Sequence, residues 1–302
     1  MTTPRTQPLQ LLIVDPQNDF CDIPGATLPV TGADADMNRL AALVDQAGGA
    51  IVDIVVTLDS HPVYAIERPA FWQQPGAVGV DGADAAGGAP QPGAPVAPVA
   101  PFTQIKAEDV RAGRFAPRDA ALREQVLAYL DALEASPKKY ILMVWPTHCV
   151  VGTWGHNVHD DLAAALGRWE AARLRTVEKV LKGQNPMTEQ YSAVRAEVPI
   201  AADPRTQTNR ALVDRIVDFP GLTFIAGEAS SHCVAATAED LFAEMSAERL
   251  ARVVLIEDAM SPVGGFESGA TAFVERARAL GVRTMTAAQA LGLLSALAGA
   301  MS

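Results

Sequence analysis

The sequence predicts an α/β fold built on a mostly parallel sheet, Rossmann-like in that helices cover both faces. Short continuous apolar runs, such as Leu11-Leu12-Ile13-Val14 and Leu222 to Ala226, have the length and composition of strands covered on both sides. Stretches of 3.6-residue periodicity separate these runs over nearly the whole chain of 302 residues. No internal repeat interrupts the alternation. No G-x-G-x-x-G loop follows the first run, which argues against a dinucleotide site.

Taken in order, Leu11 to Val14 is the first strand and ends at Asp15-Pro16-Gln17-Asn18-Asp19-Phe20. Residues 34–47 are helical, with Met37, Leu40, Ala41 and Val44 on one face. Ile51 to Leu58 is a second strand, followed by Asp59-Ser60-His61. Residues 75–101 are dominated by Gly, Ala, Pro and Val; such a stretch is extended and packs no core by itself, so it reads as a surface loop. Residues 118–134 are an amphipathic helix. Tyr140 to Val144 is a further apolar run, leading to Trp145-Pro146-Thr147-His148-Cys149. Residues 158–168 are helical, and Thr176 to Leu181 is a buried strand closed by Lys182-Gly183. The helix 209–217 feeds the strand before Cys233. Strands at Arg252 to Glu257 and Val282 to Met285 alternate with helices at 268–280 and 287–299.

Composition excludes several function classes. The net charge is −11, opposite to the basic footprint of a nucleic-acid or anionic-membrane surface. Three cysteines, widely spaced and odd in number, are no disulfide framework, so a reducing, cytoplasmic setting is the simpler expectation. The first ten residues carry no apolar signal-peptide core, and no apolar run approaches a membrane span. The acidic charge favours solubility and leaves a homo-oligomer open.

The chemistry gathers at strand ends. Gly227 ends the strand 222–226 and a helix begins near Cys233, so the thiol sits at a helix N-terminus. Unpaired N–H groups there favour a thiolate and suit an oxyanion. The alternative is a small buried cysteine that packs helix against sheet. Asp15 and Lys182 also fall at strand ends, and in a parallel sheet these ends share one edge. Such a trio supports a cysteine nucleophile, an aspartate base and a lysine that holds the carboxylate ionised and the sulfur as thiolate. Asp59 and His61 point the same way if the backbone stays extended, and with His148 they form a donor set for a metal ion. A loop-capping pair is the alternative for Asp59 and His61, and snorkelling for Lys182.

Five phrases carry a resemblance: Ile-Val-Asp-Pro-Gln-Asn-Asp-Phe, Leu-Asp-Ser-His, Trp-Pro-Thr-His-Cys-Val-Val-Gly-Thr-Trp-Gly, Lys-Gly-Gln-Asn-Pro and Ser-His-Cys-Val-Ala-Ala-Thr-Ala-Glu-Asp. In this order, from residue 11 to about 262, they resemble those of nicotinamidase/pyrazinamidase, a member of the isochorismatase-like cysteine hydrolases. The resemblance implies one domain over residues 1–302, with a six-stranded sheet in three layers. It implies an Asp15–Lys182–Cys233 triad and an oxyanion hole at the N–H groups of Ala229 and Cys233, with a cis peptide at Glu228–Ala229. It also implies metal ligands Asp59, His61 and His148, and substrate contacts at Phe20, Trp145, Tyr191 and Gln17. The metal is expected to be zinc, with iron(II) the alternative.

Three departures stand against it. Nicotinamidases usually have another metal ligand soon after D-x-H; here the stretch is Ile66-Glu67-Arg68, so Glu67 is the candidate and Arg68 an opposing charge. His61 and His148 are 87 residues apart, which implies an insertion at about 75–140 and a cover over the pocket. Glu228 puts a charged residue beside the oxyanion turn. The leading expectation is hydrolysis of a small aromatic amide such as nicotinamide through a thioester. The alternatives are a metal-free carbamoyl or ureido hydrolase and a non-catalytic binding relative. Cys21 and Cys149 are assigned to packing.

Overall fold

A computed structural model describes residues 8–75, 99–137 and 140–299. The described strands are β1 (Leu9–Val14), β2 (Ile51–Asp59), β3 (Trp72–Gln73), β4 (Thr103–Ile105), β5 (Ala116–Pro117), β6 (Leu142–Val144), β7 (Glu178–Lys182), β8 (Leu222–Gly227), β9 (Val253–Ile256) and β10 (Arg283–Met285). The described α-helices are α1 (Ala33–Ala47), α2 (Ala107–Arg111), α3 (Arg123–Ala135), α4 (Asp160–Arg173), α5 (Arg210–Val217), α6 (Cys233–Phe242), α7 (Ala247–Leu250), α8 (Glu267–Ala279) and α9 (Ala287–Gly299).

Six strands form one parallel sheet in the order β10-β9-β8-β1-β2-β7. Alternate side chains of β1 serve the two faces, as the period of two requires. Leu9, Leu11 and Ile13 pack with Met37, Leu40 and Val44 of α1 and with Leu162, Leu166 and Trp169 of α4. Leu12 and Val14 pack with Leu212 and Ile216 of α5, Val234 and Leu241 of α6, and Phe273 of α8. This gives the three layers. Truncating a residue such as the fully buried Ile13 to alanine would cost about 2–5 kcal/mol.

The chain runs from β1 outward through β2 to β7, then returns to the other side of β1 at β8. The order therefore reverses between β1 and β8, where ligands bind beyond the carboxyl ends of strands in open α/β sheets. Gly227 lets β8 close against β1: at φ +112° a Cβ there would lie 2.0 Å from the Val14 carbonyl oxygen.

Three differences from the sequence reading concern the segment leading to His148 and Lys182. The run Tyr140 to Val144 contributes β6, but this strand pairs antiparallel with β4 outside the main sheet. A separate small core holds this region together. It includes Ile66, Phe71 and Trp72 together with Ile105, Val110, Val126, Leu130, Leu133 and Val144. The helix expected over 118–134 begins as α3 at Arg123, after a 3-10 turn capped by Asp119. Finally, β7 is an exposed edge strand rather than a buried one, with Lys182 its one buried residue. The Gly/Ala/Pro stretch falls almost wholly in 76–98, outside the described residues. No described helix is long and apolar enough to cross a membrane.

Candidate active site and metal centre

Each candidate side chain reaches the crevice from an identifiable strand end. Asp15 follows β1 with a left-handed backbone, φ +44°. Its backbone N–H donates to the Thr57 carbonyl at 3.1 Å, and the Thr57 hydroxyl donates to its carboxylate at 2.5 Å. Asp59 and Lys182 end β2 and β7 as register partners, so their side chains leave the same face of adjacent strands. Gly183 keeps this corner open, because a Cβ there would lie 2.6 Å from the His61 ring. Cys233 opens α6, where backbone N–H groups have no intrahelical carbonyl. The Glu228–Ala229 peptide just before it is cis, as the resemblance implies.

Lys182 is the hub. Its Nζ lies 2.9 Å from Asp15 Oδ2, 2.8 Å from Asp59 Oδ1, 3.1 Å from the Gln190 carbonyl and 3.5 Å from Cys233 Sγ. Burial opposes its charge, but Asp15 and Asp59 outweigh burial and hold the ammonium well above its ordinary range. Burial also pushes Cys233 well above its ordinary value; Lys182 opposes this, and the two carboxylates add to it. Burial thus favours the thiol form, with Asp15 as its hydrogen-bond partner, and works against the thiolate that the helix N-terminus and Lys182 favour. The ammonium is shared among several acceptors, so it opposes burial at the sulfur only in part.

The metal candidates meet on the other oxygen of Asp59. Its Oδ2 lies 2.7 Å from His61 Nε2 and 3.3 Å from His148 Nε2. One donor atom from each of the three residues falls within a 4.8 Å cluster. Burial and Arg68 disfavour a charged His61, but Asp59 and Glu67 overcome them and push it up to about 9. Burial and Arg68 push His148 down to about 3. A carboxylate and two imidazole nitrogens aimed at a common point fit a zinc or iron(II) ion, which would take the place of the His61 proton. His148 arrives from the loop after β6, fixed because the His61 N–H donates to the Cys149 carbonyl at 3.1 Å and the Val151 N–H to the His61 carbonyl at 3.2 Å.

Two expected residues sit elsewhere. Glu67 is not in the ligand cluster: its Oε1 lies 3.1 Å from His61 Nδ1, the ring nitrogen turned away from Asp59. It therefore orients the imidazole from behind. Arg68, fully buried, donates to the Pro146 carbonyl at 2.7 Å and lies 2.7 Å from His148 Nδ1. Gln17 does not line the pocket. Its amide brackets the backbone of Asp59, accepting from the N–H at 2.7 Å and donating to the carbonyl at 2.8 Å.

These groups border a pocket lined by Phe20, Leu28, Asp59, Trp145, His148, Glu189, Gln190, Tyr191, Ala229, His232, Cys233 and Val263. Phe20, Trp145 and Tyr191 are thus brought to the pocket, and Trp145 Nε1 donates to the Tyr191 hydroxyl at 3.0 Å. No described residue of 99–137 lines it. That segment supports the walls from outside: Phe102 packs edge-on against Trp145, and the Tyr129 hydroxyl accepts from the Glu189 N–H at 3.1 Å. The expected cover by the insertion is therefore a buttress among the described residues.

Sequence reasoning missed Thr57, Glu189, Gln190 and His232. Burial and the Glu67 carboxylate push Glu189 up to about 7. Burial pushes His232 down to about 4, so this residue is neutral at the pocket wall. His232 adjoins Cys233 and was open to the same argument; Thr57 lies within β2, and Glu189 and Gln190 are brought in by a loop with no local signal.

No protein-family profile matches the chain, and no curated protein matches it. Solved structures do. The yeast nicotinamidase superposes with a TM-score of 0.58 at 20% identity, over 92% of this chain and 99% of that one. The Acinetobacter baumannii nicotinamidase/pyrazinamidase gives 0.58 at 21%, over 95% and 99%. The Pyrococcus horikoshii pyrazinamidase, solved in complex with zinc, gives 0.51 at 19%, over 92% and 98%. The chain thus has the fold of the nicotinamidases, the isochorismatase-like α/β architecture that its sequence motifs suggested.

Proposed function

We propose that the protein is a cysteine amidohydrolase that cleaves a small aromatic amide such as nicotinamide to the acid and ammonia. The observation that carries this reading is the meeting of Asp15, Lys182 and the Cys233 sulfur at the wall of a pocket lined by aromatic rings. Asp15 takes the thiol proton as the sulfur attacks the amide carbonyl. The resulting oxyanion is received by the N–H groups of Ala229 and Cys233. Asp15 then passes the proton to the departing nitrogen, so that ammonia leaves and a thioester remains. Asp15 next draws a proton from water, which attacks the thioester and frees the acid and the thiol. Lys182 keeps Asp15 competent as a base throughout. Phe20 and Trp145 flank the ring. A zinc or iron(II) ion held by Asp59, His61 and His148 would supply a Lewis-acid anchor for a ring nitrogen; the zinc-bound Pyrococcus relative supports zinc as the first choice.

The test is ammonia release from nicotinamide by purified, zinc-loaded protein. Turnover lost on alkylation of Cys233 is expected; an inert, fully loaded sample would sink the substrate assignment. One observation favours a second reading, the metal-free carbamoyl or ureido hydrolase. Arg68 brings a buried positive charge to His148, which disfavours a cation. Elemental analysis alongside an amide and carbamoyl screen separates the two.

A further inference from the structure

Beneath the oxyanion turn lies a second buried acidic cluster that the proposed reaction does not use. Glu228 is fully buried, and neither of its carboxyl oxygens receives a full hydrogen bond from a donor among the described residues. The side chain it meets is the carboxyl of Asp36, buried on α1. Asp36 is well supplied with donors: Ser261 Oγ donates to one oxygen at 2.6 Å, and Arg39 Nη1 donates to the other at 2.8 Å. Two carboxyls in contact away from water cannot both ionise. Burial raises both, but Asp36, with two side-chain donors, is the better holder of the charge, and Glu228, approached only by the Ser261 backbone, is the better holder of a proton.

We propose that Glu228 is held as a neutral carboxylic acid whose O–H donates to the Asp36 carboxylate, and that this pair positions the oxyanion turn. The turn is fastened to Asp36 at two points. One is the side chain of Glu228, a residue whose backbone N–H donates to the Val14 carbonyl at 2.8 Å. The other runs through Ser261, whose carbonyl accepts from Ser230 N–H at 2.9 Å while its hydroxyl reaches Asp36. The Ala229 N–H lies between the two fastenings. Burial first, and Asp36 second, push Glu228 well above its ordinary 4.5, in keeping with the geometry. The surrounding groups are Asp34, Asp36 and Arg39 on α1, Cys21 and Asp22 from the loop after β1, and the uncharged Ser261 after β9. Arg39 also donates to the Asp258 carbonyl, so it serves Asp36 from outside the cluster rather than neutralising Glu228 within it.

The catalytic part of this inference rests on the amidase reading; the protonation state does not, and the two are tested apart. Infrared difference spectra at neutral pH should give a protonated-carboxyl band in the wild type that Glu228→Gln removes. Absence of that band overturns the assignment, whether or not the protein turns over an amide. In turnover, Glu228→Leu should lower kcat by up to about 10²-fold with KM little changed. Glu228→Gln, whose amide can donate to Asp36, should restore most of the loss and abolish the alkaline fall-off that ionisation of Glu228 gives the wild type. Equal kcat and an unchanged pH profile in all three proteins would refute the positioning role. If Glu228→Leu does not fold, Asp36→Asn replaces it: burial still keeps Glu228 protonated, but its O–H loses a charged acceptor, so the infrared band should remain and move to higher frequency; an unmoved band means that Asp36 is not its partner.

Discussion

Two buried acidic clusters flank the β1–β8 crevice, and they are compensated in opposite ways. Asp15 and Asp59 share the Lys182 ammonium at 2.9 and 2.8 Å. Among the described residues no buried cation lies between Glu228 and Asp36, and the geometry calls for a shared proton. A buried carboxylate must be matched by a positive charge or neutralised, because an uncompensated one costs several kcal/mol. The response to pH differs most clearly between Asp59 and Glu228; Asp15 lies above its ordinary 3.8, because burial and Asp59 outweigh Lys182 there. Asp59 lies well below its ordinary 3.8: burial raises it, but His61 and Lys182 prevail. Its contribution to stability is therefore present above 3.8 and lost as pH falls through the folded value. Glu228 lies well above its ordinary 4.5, so its contribution is complete below 4.5 and lost as pH rises toward the folded value.

The comparison can be broken at several points. The largest effect is expected from Asp15→Asn, which keeps the shape but removes the base. Its kcat should fall about 10²–10⁴-fold at unchanged fold, measured by ammonia release; a smaller loss would mean that another group takes the thiol proton. Lys182→Met should destabilise the protein by about 3–5 kcal/mol in urea titrations, because two carboxylates are left buried without their cation. A mild effect would show that a bound metal ion or a proton can replace the ammonium. Glu67→Gln should weaken zinc binding about 10–100-fold by competitive chelator titration, since the carboxylate behind His61 fixes the ring and raises its basicity. The smallest effect concerns Glu228→Gln. Its stability relative to wild type should rise with pH above 4.5, by at most about 1.4 kcal/mol per unit. A flat difference would mean that Glu228 ionises as freely in the folded chain as in the unfolded one.

The layered fold and most of the crevice were legible because strand ends are legible. An apolar run that stops at Asp15, Asp59 or Lys182 locates a polar group on a known edge of a parallel sheet, whatever the loops do. His148 and Cys233 were marked by ordered motifs. What was not legible depends on direction and burial. The Gln17 side chain turns inward to hold Asp59 instead of facing substrate, and Glu67 approaches His61 from its outer nitrogen; one-dimensional spacing contains neither fact. The upward push on Cys233 depends on how completely the crevice excludes water, which composition does not report. The antiparallel pairing of β6 with β4 follows from the insertion's own core, where Trp72, Val126 and Leu130 pack with Val144.

Asp59 links the two halves of the site through a single carboxylate, one oxygen on the ammonium and the other on both imidazoles. Chelators are therefore reagents for the sulfur as well as for the ion. Stripping the histidine side redistributes charge on the same group that steadies Lys182, so alkylation rates at Cys233 should report metal loading before any substrate is added.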